Sequence, residues 1–92
     1  MKKLEIEIPE SLMLKAIAQY GSRKKVEDII SNRLEQNIRK NRRIIGRVKP
    51  ERMTILNVYM RDHMHPFFNE ILISMSESKQ NYITRMLKRL IK

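Results

Sequence analysis

Hydrophobic and polar residues alternate in two short segments, and each segment precedes two stretches with the spacing of helices. Residues 4–8 read Leu-Glu-Ile-Glu-Ile, the two-residue period of a strand with one buried face. Residues 56–60 read Leu-Asn-Val-Tyr-Met and follow the same period. The two segments align at one constant offset without a gap. The pattern therefore predicts an internal repeat of a strand–helix–helix unit.

The first unit contains clear signals for where its elements begin and end. Pro9 cannot donate to a strand ladder, so the first strand should stop there. Gly21 suits a helix end because it adopts a left-handed conformation at little cost, and Ser22 can cap the helix that follows. The residues at helical spacing are Leu12, Ala16, Ile17 and Tyr20 in the first helix, and Val26, Ile29, Ile30, Leu34 and Ile38 in the second.

The second unit begins with a strand over Met53–Met60 that ends at Arg61 and Asp62. Pro66 belongs in the first turn of a helix, where its missing N–H is not needed. Residues 76–78 form the turn, with Ser78 as the cap of the last helix. The predicted inward residues are Phe67, Phe68, Ile71, Leu72 and Met75, then Tyr82, Ile83, Met86, Leu87, Leu90 and Ile91; Lys79, Arg85, Lys88 and Arg89 are predicted to face outward.

Neither unit is large enough to bury its own strand, so each must provide a partner for the other. We expect a first unit at 1–45, a basic linker at 46–52 and a second unit at 53–92, with one shared core. The predicted fold class is mainly α with a short two-stranded β-ribbon formed within one chain.

Net charge is the second strong feature of the sequence. Twenty Lys and Arg against ten acidic residues give a net charge of +10. The excess is concentrated at 39–52, which carries seven basic residues and one acidic residue. Such a field attracts a polyanion, although charge alone does not separate DNA from RNA or from an acidic membrane.

The sequence gives little support to a membrane-spanning, secreted, metal-binding or catalytic protein. The chain has no cysteine, no apolar run of membrane-spanning length and no signal-peptide pattern, so we expect an intracellular, cytoplasmic protein. Asp62, His63 and His65 fall short of a recognisable zinc site, and no nucleophile–base set or phosphate loop is present. We expect no enzymatic activity, no cofactor and no metal.

The order of strand, helix, Gly-Ser turn and helix resembles the ribbon–helix–helix (MetJ/Arc) superfamily. The resemblance rests on residues 4–12, 20–23 and 26–34, and on residues 54–91 with a less typical turn. The chain looks like a tandem, single-chain form, an intramolecular pseudo-dimer similar to regulators of archaeal viruses and plasmids.

The resemblance implies that the outer face of the ribbon enters the major groove of double-stranded DNA. It also implies that the start of each second helix contacts phosphate. Glu5 and Glu7 depart from the expected pattern, because carboxylates are unfavourable in a groove lined by phosphates. The second strand should therefore make most of the contacts that read the base sequence. The implied base contacts are Lys3, Asn57, Tyr59 and Arg61; the implied phosphate contacts are Ser22, Arg23, Lys24, Arg42, Arg43, Ser78, Lys79 and Gln80.

Each of these assignments has an ordinary structural alternative. A polar strand face can simply be solvated, and Ser at a helix start can serve only as a cap. The favoured function is sequence-specific transcriptional regulation, with self-association along DNA compatible with the fold. The alternatives are an accessory or antitoxin-like protein whose main partner is another protein, and a basic protein at a membrane surface.

Overall fold

The computed structural model describes residues 1–44 and 51–91. The elements in chain order are strand β1 (Lys2–Pro9), helices α1 (Glu10–Tyr20) and α2 (Arg23–Arg39), strand β2 (Met53–Met60), a 3₁₀ turn (Asp62–Met64), and helices α3 (His65–Met75) and α4 (Lys79–Leu90). The mainly helical fold with a two-stranded sheet is thus confirmed. Residues 45–50 of the predicted first unit and linker, and residue 92, lie outside the described residues.

The two strands pair antiparallel with each other along their full length. Glu5 lies opposite Asn57 near the middle, with Leu4 opposite Val58 on one side of that pair. Within the described residues, neither strand has a second strand beside it. Each half of the chain therefore provides the ladder partner that the other half lacks.

One face of this ribbon is buried against the four helices. Leu56 and Val58 are fully buried, whereas Ile55 and Tyr59 on the opposite face remain more than a third exposed. This confirms the predicted orientation of β2, and Ile6 and Ile8 give β1 the same inward face. The helices contribute most of the remaining core: Leu12, Met13, Ala16, Val26, Ile30, Leu34, Ile38, Met64, Phe68, Ile71, Leu72, Tyr82, Ile83, Met86 and Leu87.

Local signals in the sequence set the helix ends. Gly21 has a φ of 104°, and its N–H donates to the Ile17 carbonyl. Ser22 and Ser78 accept hydrogen bonds from the N–H groups three residues ahead, each at 3.2 Å. Pro66 lies in the first turn of α3. These predicted end signals are all confirmed.

Two predicted orientations are wrong. Phe67 is 54% exposed because α3 buries only the narrow arc of Phe68, Ile71 and Leu72. The Arg85 side chain is only 14% exposed, because it forms an ion pair with the equally buried Glu77 at 2.6 Å. The spacing of charged residues within α4 does not reveal this burial, because Glu77 lies in the turn before the helix. The inward residues Ile17, Tyr20, Ile29, Met75, Leu90 and Ile91 are only half-buried.

No helix among the described residues combines the length and the apolar character needed to cross a bilayer.

Candidate nucleic-acid interface

The outward face of the ribbon carries two different sets of side chains. β1 presents Lys3, Glu5 and Glu7, and β2 presents Asn57 and Tyr59 together with Ile55. Lys3 lies opposite Tyr59 and forms an exposed ion pair with Glu5 at 3.6 Å. Three of the four predicted base-contacting residues, Lys3, Asn57 and Tyr59, therefore share one surface.

Asn57 stands at the middle of this surface, opposite Glu5. Its backbone N–H donates to the Glu27 carboxylate at 2.8 Å, which fixes the main chain there. Its carboxamide forms no hydrogen bond with any described residue. A fixed backbone and an unengaged amide leave both of its hydrogen-bonding atoms available to a base edge.

Helix α2 lies along the free edge of β2 and accepts two of the N–H groups that β1 does not pair. Glu27 receives the N–H of Asn57, and the Ser31 hydroxyl receives that of Tyr59 at 2.9 Å. The same hydroxyl donates to the Glu27 carbonyl at 2.7 Å. Sequence reasoning missed both residues. The available signal was two polar residues four apart within a helix that packs in the core.

Arg61 lies at the end of β2, where it forms an ion pair with Glu35 at 3.4 Å. Arg39 contacts the same Glu35 oxygen at 3.0 Å. Glu27, Ser31 and Glu35 are spaced at one-turn intervals and so form one stripe on α2 that faces the β2 edge. Arg61 is more than half exposed, and exposed ion pairs contribute only about 0–1 kcal/mol. A phosphate can therefore displace Glu35 from Arg61 at low cost.

The predicted phosphate contacts at the start of α2 lie beside this stripe. Arg23 lies 3.8 Å from Glu27, while Lys24 is exposed and forms no ion pair with a described carboxylate. The Ser22 hydroxyl is engaged as the helix cap. The capping role of Ser22 is thus established by geometry, whereas its phosphate role stays a prediction.

Near the start of α4, the positive charges of Lys79 and of Lys2 act on His65, the first residue of α3. Burial lowers the pKa of His65, and the positive charges of Lys2 and Lys79 lower it further. The imidazole is therefore harder to protonate than a free histidine, although Asp62 opposes the shift, and its Nε2 atom is buried without a partner in the described structure. Ser78 caps this helix, and Gln80 is exposed.

Arg42 and Arg43 lie apart from the ribbon residues. The Arg42 N–H donates to the Asn37 carbonyl at 2.8 Å, and the Tyr82 hydroxyl donates to the Arg42 carbonyl at 2.7 Å. Arg43 borders a depression formed by the end of α3 and by Arg85 of α4. The structure thus brings these two arginines against the helices, so the twelve predicted contacts do not form a single patch.

Asp62, His63 and His65 come close together in sequence at the start of α3. Across residues 1–44 and 51–91, no group of three or more His, Cys, Asp or Glu side chains is arranged to share a metal ion.

The chain matches no family model, and no curated protein or solved structure is significantly similar to it. The assignment of function therefore depends on the geometry above.

Proposed function

We propose that this protein binds double-stranded DNA sequence-specifically and acts as a regulator, with the outer face of the ribbon in the major groove. The observation that carries the proposal is the paired ribbon itself, buried on one face and polar around Asn57 on the other. Paired strands lie about 4.8 Å apart, so a two-stranded ribbon with its side chains fits a groove about 12 Å wide.

The chemistry of the outer face supports β2 as the reading strand. An asparagine carboxamide pairs with adenine in a bidentate manner, and an arginine at the strand end suits guanine or phosphate. Glu5 and Glu7 are unfavourable near phosphates, although a carboxylate can accept from the amino group of cytosine. Lys3 offsets part of this negative charge through its ion pair with Glu5.

The register supports a tandem ribbon–helix–helix arrangement. The internal repeat aligns Leu4 with Leu56 and Ile6 with Val58. In the ribbon, Leu4 instead lies opposite Val58, and Ile6 lies opposite Leu56. Leu4 therefore pairs with the repeat equivalent of Ile6, and Ile6 pairs with the repeat equivalent of Leu4. A twofold rotation about the Glu5–Asn57 pair would exchange the two strands in this way. We infer one pseudo-twofold binding unit per chain, as the superfamily resemblance implies.

The test is a selection of bound duplexes from a random library, followed by affinity measurements at several salt concentrations. Affinity should fall roughly a thousandfold between about 50 and 200 mM salt, because many phosphate contacts release counterions. Asn57→Ala should erode discrimination between selected and random duplexes, whereas Lys79→Ala should weaken both alike. If Asn57→Ala leaves discrimination and footprint unchanged, the ribbon does not read the sequence as proposed.

One observation favours the alternative of a protein partner. Phe67 and Ile73 of α3 are 54% and 77% exposed, and apolar side chains of this size are common at protein interfaces. An accessory or antitoxin-like role would predict a stoichiometric protein partner whose binding is abolished by Phe67→Ser. The DNA proposal predicts that the same substitution leaves duplex affinity intact.

A further inference from the structure

A groove between α2 and α4 is lined by three arginines from three separate parts of the chain. Arg33 comes from α2, Arg42 from the segment after it, and Arg89 from α4. The cavity measures about 210 Å³, and none of the side chains lining it is acidic. Its remaining walls are Asn37, Ile44, Met86 and Leu90.

The groove lies on a different side of α2 from the ribbon. Each residue turns an α-helix by about 100°, so Arg33 points roughly 200° away from Ser31, which faces the β2 edge. Asn37 is likewise two residues beyond Glu35 of that stripe. The arginines of the groove are therefore separate from the surface assigned to base reading.

The backbone that carries Arg42 is held on both sides. Its N–H donates to the Asn37 carbonyl, and its carbonyl accepts from the buried Tyr82 hydroxyl. Two residues later, Ile44 is buried, and its carbonyl accepts from Arg85 at 3.2 Å. Arg42 is thus presented by a fixed segment, which lowers the entropic cost of binding a ligand.

Arg33 and Arg42 form no ion pair with any carboxylate in the described part of the chain. The guanidinium groups of Arg33 and Arg42 line one concavity and repel each other, and an anion between them relieves that repulsion. The planar forks of arginine match the oxygens of a phosphate group in bidentate fashion.

We propose that this groove binds a phosphate group through Arg33, Arg42 and Arg89. The proposal does not depend on DNA reading by the ribbon. The phosphate can belong to a small phosphorylated ligand or to a nucleic-acid backbone, and both sources offer the same tetrahedral dianion or monoanion.

The first experiment titrates the full chain with inorganic phosphate and follows amide and arginine side-chain NMR signals. We expect saturable shifts concentrated at Arg33, Asn37 and Arg42. Arg33→Gln and Arg42→Gln should each weaken phosphate binding at least about tenfold, since each removes a charge-assisted contact. Lys40→Gln is the matched control, because it removes one nearby exposed charge from outside the groove and should have little effect.

Far-UV circular dichroism and thermal unfolding establish that the variants remain folded, as expected when only the side chain of Arg42 changes and its backbone bonds persist. The proposal is overturned if phosphate shifts spread over all lysines and arginines, or if Lys40→Gln weakens binding as much as Arg42→Gln.

A second arm identifies the source of the phosphate. A duplex is titrated into the wild type and into the Arg33→Gln/Arg42→Gln double variant. Reduced duplex affinity, together with competition by inorganic phosphate, identifies a nucleic-acid backbone. Unchanged duplex affinity beside lost phosphate binding identifies a free phosphorylated ligand. Because the ribbon proposal is tested through Asn57→Ala, either proposal can fail without the other.

Discussion

At the scale of single residues, Glu27 links strand β2 to helix α2. Its carboxylate is buried, accepts the N–H of Asn57 and lies within ion-pair distance of Arg23. A buried carboxylate is tolerated only when its partners compensate for lost hydration, and here the partners belong to both proposed contact groups. Glu27 therefore has a positioning role, since it fixes the residue at the centre of the ribbon.

Replacement of Glu27 by alanine should lower the free energy of unfolding by about 1–3 kcal/mol, because the Asn57 N–H loses its acceptor. Glu27→Gln keeps an acceptor oxygen and should be less destabilising. Urea unfolding followed by circular dichroism measures both changes. Asp28→Ala, at the exposed neighbouring position, is the control. Equal stability of Glu27→Ala and Asp28→Ala would show that the bond to Asn57 contributes nothing.

The pair of Glu77 and Arg85 should make stability depend on pH. The Ser78 N–H lowers the pKa of Glu77 from its ordinary value of 4.5, with further lowering by the Asn81 side chain and by Arg85. The folded state thus favours the carboxylate, so the stabilisation is present above about pH 4.5 and is lost as the pH falls below it. Glu77→Gln should lower the free energy of unfolding by about 2 kcal/mol at pH 7, because it leaves Arg85, whose side chain is 14% exposed, without its counter-ion.

The check is a set of urea unfolding curves between pH 7 and pH 3 for the wild type and Glu77→Gln. The difference between them should shrink below pH 4.5. Glu70→Gln on the exposed side of α3 should show no such trend. A difference that stays constant with pH would exclude a lowered pKa of Glu77.

At the scale of elements, the two helix pairs are joined by different turns. Gly21 ends α1 with a positive φ at no steric cost, whereas Ser76 ends α3 with a φ of 53°, a conformation that is costly for a residue with a side chain. The turn between α3 and α4 is also longer, and its Glu77 is the partner of Arg85. The less typical turn seen in the sequence thus coincides with an ion pair, and no described ion pair involves the two residues between α1 and α2.

The second helices also differ in how they meet the ribbon. α2 places Glu27 and Ser31 five and nine residues after its cap Ser22, where they receive N–H groups of β2. Counted in the same way from Ser78, α4 has the buried Ile83 and Leu87 at these positions. The two flanks of the ribbon are therefore chemically unequal, which agrees with the unequal outer faces of β1 and β2.

At the scale of the whole molecule, folding depends on both halves. The core draws on both strands and all four α-helices, and each strand finds its ladder partner in the other half. A fragment of 1–44 or of 51–92 would expose its strand edge and half of the core surface.

Each fragment alone should therefore lack cooperative unfolding as a monomer, and an equimolar mixture should regain the helical circular dichroism signal. Size-exclusion chromatography with mass detection distinguishes heterodimer formation from self-association of one fragment. A fragment that unfolds cooperatively as a monomer would disprove the shared core.

The sequence alone determined the local structure of this protein. Alternation at 4–8 and 56–60 identified both strands and their inward faces, because burial on one face imposes a period of two. Pro9, Gly21, Ser22 and Ser78 marked element ends through backbone chemistry that needs no distant partner.

The tertiary structure alone decided which polar groups meet. Glu27 with Asn57, Arg85 with Ile44, and the three arginines of the groove are separated by 30 or more residues or lie on different elements. Their proximity follows from packing of the two halves, which no local pattern encodes.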